Sequence, residues 1–581
     1  MMFFPKLIVL IWADVLALYV MWMMMLYLTN VWKLGFTHAA GIVNIFTGAW
    51  TMMLLPMQYL VDTFMGSYLI LLLSSISYSL GLGFLWMSTP PILGKSHGLC
   101  GAYLPECIGD EQRVLFYAGL ALIAVGLSGH LISLGPFSAA QFTEDMLENM
   151  TGKSFCIMFL FSYLAILVPI GTVIAISYVK AWSFRFGLSA LCTVVGTLVF
   201  FAGSCSYNYI GPQGSPLTTI FRVFYAAVSK IFYRRPKNVK DLYEIPDLDE
   251  HQLIPHSRSL RFVSYIFLRL NDLYKCLDKA AIILPRISTE DQAKNRWRLC
   301  RVTEVEEIKM CLRLIPIGIT FIFCGVVSAV GNSYFLIQSN HLNEKLGRLP
   351  IPATLLLVIY DTGKTQFGKL YYKLANKLGG SGSRHYAPPI GIAVSMIFSV
   401  ICCVVAAKVE ARRLGIVISH GLIDKPDDKI PMSIFWLLPQ FVLLGAVDGI
   451  LETSLCYFLV DQVGPSMQGH IVHFGLGVLG MGHMGSVLAV YVVGKVSEKG
   501  GKTGWFQHTL NKSRLDKYYW TLAWLSAVNL GIYVVMALLF AYQKSRIGED
   551  QEAVEEEEDQ NGEGKGSQGP FQDDAQCFCC C

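Results

Sequence analysis

Apolar runs of about 20 residues, broken by short polar stretches, repeat along most of this chain. A helix rises about 1.5 Å per residue, so about 20 mostly apolar residues cross a hydrocarbon layer about 30 Å thick. Eleven segments have that length and character: 6–28, 43–66, 68–89, 114–135, 155–179, 187–208, 311–337, 387–409, 434–460, 469–494 and 519–542. A twelfth, 350–372, is weaker, because its apolar core from Ile351 to Tyr360 runs into Asp361, Lys364 and Lys369. Such a helix has to be shielded by its neighbours or line water. Six spans fill 1–208 and six fill 311–542, with about 100 mostly polar residues between them. The pattern predicts an all-α membrane protein with 12 transmembrane helices in two six-helix bundles. The expected divisions are 1–208, a linker at 209–310, a second bundle at 311–545 and a tail at 546–581.

The linker carries Lys230, Arg234, Arg235, Arg296 and Arg301 among its basic residues. Loops rich in Lys and Arg stay on the cytosolic side. That places the linker, and with it both ends of the chain, in the cytosol. Lys408, Arg412 and Arg413 run against the rule, since the same topology puts them outside. Within the linker, Ser288 or Thr289 offers an N-cap, and Val302, Val305, Ile308 and Leu312 recur at helical spacing. These signals predict one amphipathic helix on the cytosolic face, leading into the seventh span. From Gly548 the chain is acidic and rich in Gly and Gln, the composition of a disordered tail. The tail ends in Cys577, Cys579, Cys580 and Cys581. Phe578 occupies the fourth position from the end, so the prenylation pattern is absent.

Composition agrees with a lipid environment. Only 15% of the 581 residues are charged, against about 25% in a soluble protein. Charged side chains facing lipid cost about 3 kcal/mol each. The net charge of +4 is spread over many short loops and excludes a nucleic-acid footprint. Most of the 16 Cys lie inside apolar runs and act as small apolar residues. Cys100 and Cys107 share a loop and can pair if it faces an oxidising compartment.

Motifs give no enzyme. Gly475-x-Gly477-x-x-Gly480 has the letters of a dinucleotide fingerprint, but it sits inside an apolar run rather than between a strand and a helix. Small residues at that spacing let membrane helices approach closely. His470, His473 and His483 share the eleventh span, where packing or hydrogen bonding between helices competes with metal binding. No metal site, cofactor or catalytic constellation stands out. Asn511-Lys-Ser513 fits an N-glycosylation acceptor if its loop faces outward. Ionisable residues inside spans are sharper signals, because each needs a partner or water. Asp14 lies in the first span, and Asp448 and Glu452 lie four apart on one face of the tenth. Each is either a hydrogen-bonded structural group or part of a central substrate or ion site.

Several strings then carry a resemblance. They are Asp62-Thr-Phe-Met-Gly66-Ser-Tyr68, Phe201-Ala-Gly203, Gly211-Pro-Gln-Gly-Ser-Pro-Leu217 and Val302-Thr-Glu-Val-Glu-Glu-Ile-Lys309. Pro439-Gln440-Phe441, Asp461-Gln462 and Leu510-Asn511-Lys512 continue the series. In order and spacing, from about residue 8 to 545, they resemble the plant nitrate transporter 1/peptide transporter family, relatives of proton-coupled oligopeptide transporters in the major facilitator superfamily. The resemblance implies a major facilitator fold with a midplane site open alternately to either side. It implies uptake of nitrate, peptides or plant metabolites and hormones across the plasma or vacuolar membrane, with protons as co-substrate. Asp62 and Gly66 fall in the family's conformational loop.

This chain departs from the family's coupling residues. The two Glu and the Arg expected on the first helix correspond to Leu10, Ala13 and Asp14, and the fourth-helix Lys falls near Leu131. On the tenth helix one acid is kept as Asp448 and the other is Tyr457. A relative's nitrate-binding His corresponds to Ser328. An anion held in low dielectric needs a compensating cation or aimed donors, so these changes point away from ordinary proton-driven nitrate symport. The candidate substrate or ion site is therefore Asp14, Ser328, Asp448, Glu452 and Tyr457. The expected partners are a small-molecule or anion substrate, protons and the lipid bilayer, in an unspecified oligomeric state. The competing expectation is a receptor or interaction protein that keeps the scaffold without transport.

Overall fold

The computed structural model describes residues 4–90, 108–141, 167–233, 242–243, 276–284, 289–346, 349–379, 383–426, 428–499, 501 and 503–560. Among them the apolar runs are helices. α1 (Phe4–Trp22) and α2 (Met24–Asn30) are one span bent by 42° at Met23. α3 (Phe36–Met52), α4 (Leu54–Leu60), a π-turn at Val61–Met65 and α5 (Gly66–Met87) follow one another directly. Those 52 residues would reach about 78 Å as one rod, more than twice the apolar thickness of a bilayer, so they hold two spans. Gly66 is the corner between them, with φ 70° and ψ 169°. A Cβ there would stand 2.9 Å from the Ile210 carbonyl oxygen, so both the backbone conformation and the space require glycine.

α6 (Asp110–Ala140), α7 (Leu167–Ser177) and α8 (Trp182–Phe201) complete the first six spans, and α9 (Pro216–Ser229) and α10 (Thr289–Lys294) lie in the linker. α11 (Val302–Ser328) continues through a π-turn at Gly331–Phe335 into α12 (Leu336–His341). α13 (Thr354–Gly379), α14 (Ser383–Ser419), α15 (Leu438–Asp461), α16 (Gln468–Ser497) and α17 (Leu515–Gln560) follow. Eight described stretches are long and apolar enough to cross a membrane, one of them the double stretch 36–87. The bent pair α1–α2, the short apolar α7 and the charge-bearing α13 lie outside that set, and with two spans in 36–87 the described helices are consistent with 12. Among the described residues, strands form two short pairings, Leu342–Asn343 parallel to Ile430–Ser433 and Lys345–Leu346 antiparallel to Leu349–Pro350.

Contacts divide the chain into two compact units. The first comprises residues 1–213, 321–454 and 473–530. Its helices meet through glycines. α5 and α6 touch backbone to backbone: a Cβ on Gly119 would lie 2.9 Å from the Gly81 carbonyl, and one on Gly126 would lie 2.6 Å from Tyr78 Cβ. The glycine-rich run of α16 packs likewise: a Cβ on Gly480 would overlap Thr51, and one on Gly482 would lie 2.7 Å from Gly325 Cα. The fingerprint-like letters are thus a helix-packing stripe.

The second unit comprises 214–320, 455–472 and 531–581. Here Val223, Ala226 and Ala227 of α9 bury against Ala280, Ala281, Val305 and Ile308. Lys309 pairs with Asp278 and, at 2.7 Å, with Glu306. Lys230 donates to the Ala280 and Ile282 carbonyls at 3.0 and 2.6 Å. Burial lowers its pKa from the ordinary 10.5 to about 8.

Several expectations are corrected. The single amphipathic helix over 288–313 is two helices, α10 and the start of α11, separated by Asn295–Arg301. Val305 and Ile308 are buried against the α9 cluster within the unit. The charges at 408–413 are not in a loop, since α14 runs on to Ser419. Arg413 is buried there, paired with Glu410 at 2.8 Å, and so does not count as a free loop cation. α17 continues to Gln560, so the acidic stretch 548–560 is helical, in keeping with the helix propensity of its Glu, Ala and Gln. Asn511 is buried, its Nδ2 donating to the Leu422 carbonyl at 3.0 Å and its Oδ1 accepting from Arg413 at 2.8 Å, which leaves no room for a glycan. Cys100, Cys107, residues 155–166 of the fifth span and the terminal cysteines lie outside the described residues.

Candidate functional site

α13 and α15 approach as closely as two helices can. A Cβ on Gly445 would lie 2.9 Å from the Tyr360 carbonyl, one on Gly368 would lie 2.7 Å from the Gly449 carbonyl, and one on Gly449 would overlap the Lys364 carbonyl. This contact sets the α13 side chains Tyr360 and Lys364, four residues apart, against the α15 acids Asp448 and Glu452, also four apart. Tyr360 Oη donates to Asp448 Oδ2 at 2.6 Å. Lys364 Nζ pairs with Glu452 Oε1 at 2.7 Å. Ser328, at the end of α11, adds a side-chain hydrogen bond to Asp448.

Exposure divides the cluster. Asp448 is only 3% exposed, and a carboxylate so deep is tolerated because two hydroxyls and a nearby ammonium face it. Lys364 and Glu452 keep 30% and 36% of their side-chain surface open, so the helix packing does not seal the pair as it seals Asp448. His483 of α16 lies within electrostatic reach of Glu452 and Lys364 and contacts the Leu479 carbonyl through Nδ1 at 3.1 Å. With Nδ1–H donating there, Nε2 is left as the basic nitrogen.

Asp14 lies elsewhere, with partners in the first six spans. Its Oδ2 is 2.9 Å from His130 Nδ1 on α6, and His130 Nε2 is 2.7 Å from Ser75 Oγ on α5. The Tyr78 ring stands edge-on to His130, centroids 5.7 Å apart. The α5–α6 glycine contact makes this possible: Gly129 has no room for a Cβ beside Ser74, so Ser75 and His130 are drawn together. Leu131, where the family's lysine was placed, is 48% exposed; its neighbour His130 carries the inward-facing base. Leu10 and Ala13 are buried, and Ala13 packs 3.2 Å from the Cβ position of Gly196 on α8.

The structure thus brings together Ser328, Asp448 and Glu452 and adds Tyr360, Lys364 and His483. It does not bring Tyr457 to the same place. At about 100° per residue, nine residues turn Tyr457 about 180° from Asp448, and it is exposed. Asp62 accepts both hydrogen bonds from Gln58 Nε2, at 2.9 and 3.1 Å, beside the Gly66 corner. Lys364 and Tyr360 were legible only as an oddity, a lysine and two other charges in an otherwise apolar stretch. His130 carried no sequence signal, because a lone histidine in an apolar run is commonly a core residue.

Comparison with known proteins bears on the family and the fold. The POT family profile matches residues 68–506. The chain is 39% identical to NRT1/PTR FAMILY 5.5 of Arabidopsis thaliana over 94% of its own length and 98% of that protein. It is 31% identical to NRT1/PTR FAMILY 5.4 of the same plant, covering 90% and 91%. In three dimensions it is similar to the crystal structure of an auto-inhibited POT family peptide transporter, with a TM-score of 0.59, 16% identity, and 91% and 96% of the two chains covered. The family is one of transporters rather than enzymes, built on the major facilitator fold. This chain is therefore a multi-pass integral membrane protein belonging to the POT family of secondary transporters, in its plant NRT1/PTR branch.

Proposed function

We propose that this chain moves a small solute bearing an anionic group by alternating access, and that the Lys364–Glu452 pair beside Asp448 is where solute and ion meet. The observation that carries the reading is the partly open ion pair at 2.7 Å next to a buried, doubly hydrogen-bonded carboxylate. Lys364 is the cation that an anion in low dielectric needs, and it stands on a helix outside the family's motif positions. While Glu452 is ionised it occupies that cation. When Glu452 takes up a proton, the ammonium is released and can accept a solute carboxylate or an inorganic anion in its place. Proton and anion then enter as a neutral pair, which avoids carrying net charge through the apolar layer. Tyr360 and Ser328 hold Asp448 and offer hydroxyls for orienting the solute.

The usual first-helix relay is replaced in this scheme by the acids of α15. Nitrate, peptides and plant metabolites or hormones with a carboxylate all fit an ammonium beside two hydroxyls. An uptake screen of these in oocytes at two external pH values, with Asp448→Asn, Glu452→Gln and Lys364→Gln, tests the proposal. Uptake that depends on Lys364 and loses its pH response in the Glu452 variant is expected. Saturable binding with no flux of any solute would instead make the chain a receptor on a transporter scaffold.

A further inference from the structure

The chain Asp14–His130–Ser75 can be read by counting hydrogens. Ser75 has one hydroxyl hydrogen, yet its Oγ lies 2.7 Å both from the Leu71 carbonyl and from His130 Nε2. A carbonyl only accepts. With the hydroxyl hydrogen on Leu71, Nε2 must therefore be the donor to Ser75. The contact between Nδ1 and Asp14 Oδ2, 2.9 Å, also holds one hydrogen. The imidazole and carboxyl groups together then carry two: imidazolium against carboxylate, or neutral imidazole against carboxylic acid. After loss of one proton the neutral ring donates from Nδ1 to the carboxylate, and Nε2 turns acceptor. Ser75 then has to swing its hydrogen from Leu71 to Nε2.

We infer that Asp14 and His130 form a proton-binding site that takes one exchangeable proton from hydronium and returns it to water, with the Ser75 hydroxyl switching partner on each exchange. The coupling of this proton to solute movement rests on the transporter reading above; the binding of the proton does not. The surroundings favour a proton over a fixed charge pair. α5 presents Tyr78, buried, with its Oη unpartnered, and α6 presents Ser133, likewise buried and unpartnered. Asp14 Oδ1 has no partner either. The single charge of α8, Arg185, is tied to the Ser177 and Val179 carbonyls, 12 residues from Thr197, whose hydroxyl contacts the α5 hydroxyl of Ser79. Of the helices beside α6, α3 brings only His38, which is exposed, and α4 only Tyr59, whose ring meets Phe64. Tyr19 of α1 is bonded to Ser177 at 2.7 Å. No described cation besides His130 faces Asp14, so loss of the proton leaves a buried net charge, and the conformation that admits water is the one that can release it.

The test uses the full-length protein in lipid nanodiscs, followed by infrared difference spectra as pH is stepped. Carboxyl and imidazole bands that titrate in the wild type and vanish in both Asp14→Asn and His130→Gln are expected; bands that persist in both variants overturn the assignment. Ser75→Ala, which removes only a hydroxyl, guards against a folding defect. It takes away a charge-assisted bond from the loaded state and a weaker neutral bond from the unloaded one, so the midpoint of the band changes should fall by about one pH unit. An unmoved midpoint refutes the Ser75 switch. In proteoliposomes, His130→Gln should weaken the effect of a pH gradient on net uptake, leaving the part carried by Glu452, while solute counterflow continues; an undiminished gradient effect overturns the coupling. Absence of counterflow in the wild type would strike the transporter reading alone, since the infrared result decides the proton site by itself.

Discussion

Replacing Glu452 with Gln isolates the central electrostatic argument. The change keeps shape and removes one charge from the pair at 2.7 Å. At that distance the attraction is about 6 kcal/mol for an effective dielectric of about 20. Both groups are about one-third open, at 30% and 36%, so solvent screening and the cost of desolvation offset most of it. A net coupling of about 1.4 kcal/mol remains, between the values for exposed and buried pairs. That energy opposes any anion competing with Glu452 for Lys364. Its removal should tighten binding of the transported anion about tenfold. The half-saturating concentration in Glu452→Gln should fall by that factor and stop responding to external pH, because no proton is needed to free the ammonium. Maximal flux should drop, since the anion is held without a means of release. Lys364→Gln should lose saturable uptake. The assay is concentration-dependent uptake in oocytes of whichever solute the wild type carries in a screen of nitrate, dipeptides and carboxylates. Unchanged half-saturation and an unchanged pH response in both variants would refute the competition between Glu452 and the solute.

Gly449→Ala should destabilise the protein by about 1–3 kcal/mol and reduce uptake, because its Cβ would overlap the Lys364 carbonyl. Gly83→Ala, with open space around the site, is the control, and equal thermal stability of the two variants in detergent would contradict the helix contact. Lys230 titrates at about 8 when folded against 10.5 when free. The unfolded form therefore binds more protons between those values, so docking of residues 276–284 should strengthen as pH rises from about 8 to about 10.5, with the penalty fully present below pH 8. Hydrogen exchange in that segment reads the effect, and faster exchange with pH beyond its intrinsic acceleration would oppose it. Asn511 should carry no glycan in a eukaryotic host, and a mass loss on deglycosylation that vanishes in Asn511→Gln would overturn its buried placement. Arg413→Met with Glu410 intact should cost about 3 kcal/mol or more, as it strands a buried carboxylate that also accepts from Gln338 at 2.6 Å; a stability within about 0.5 kcal/mol of wild type would contradict that network.

The all-helical, membrane-spanning character of the chain was legible along it, because partition of an apolar run into lipid depends on the run's own length and composition. Even the weak eighth span could be placed, since a stretch with Asp361, Lys364 and Lys369 must face neighbours or water. The same local logic marked Asp14, Asp448 and Glu452 as groups in need of partners, and Gly480 as a packing position. What those partners are was decided only in three dimensions. Lys364 meets Glu452, and His130 meets Asp14 across 116 residues, because glycines let α13 approach α15 and α5 approach α6 to backbone contact. Arg413 and Asn511 looked like loop residues and are interior ones, since each satisfies the other across 98 residues. A charge in an apolar span announces by its own desolvation cost that something must compensate it. The identity of that compensation depends on which helix faces register against one another, and no stretch of a single helix contains that information.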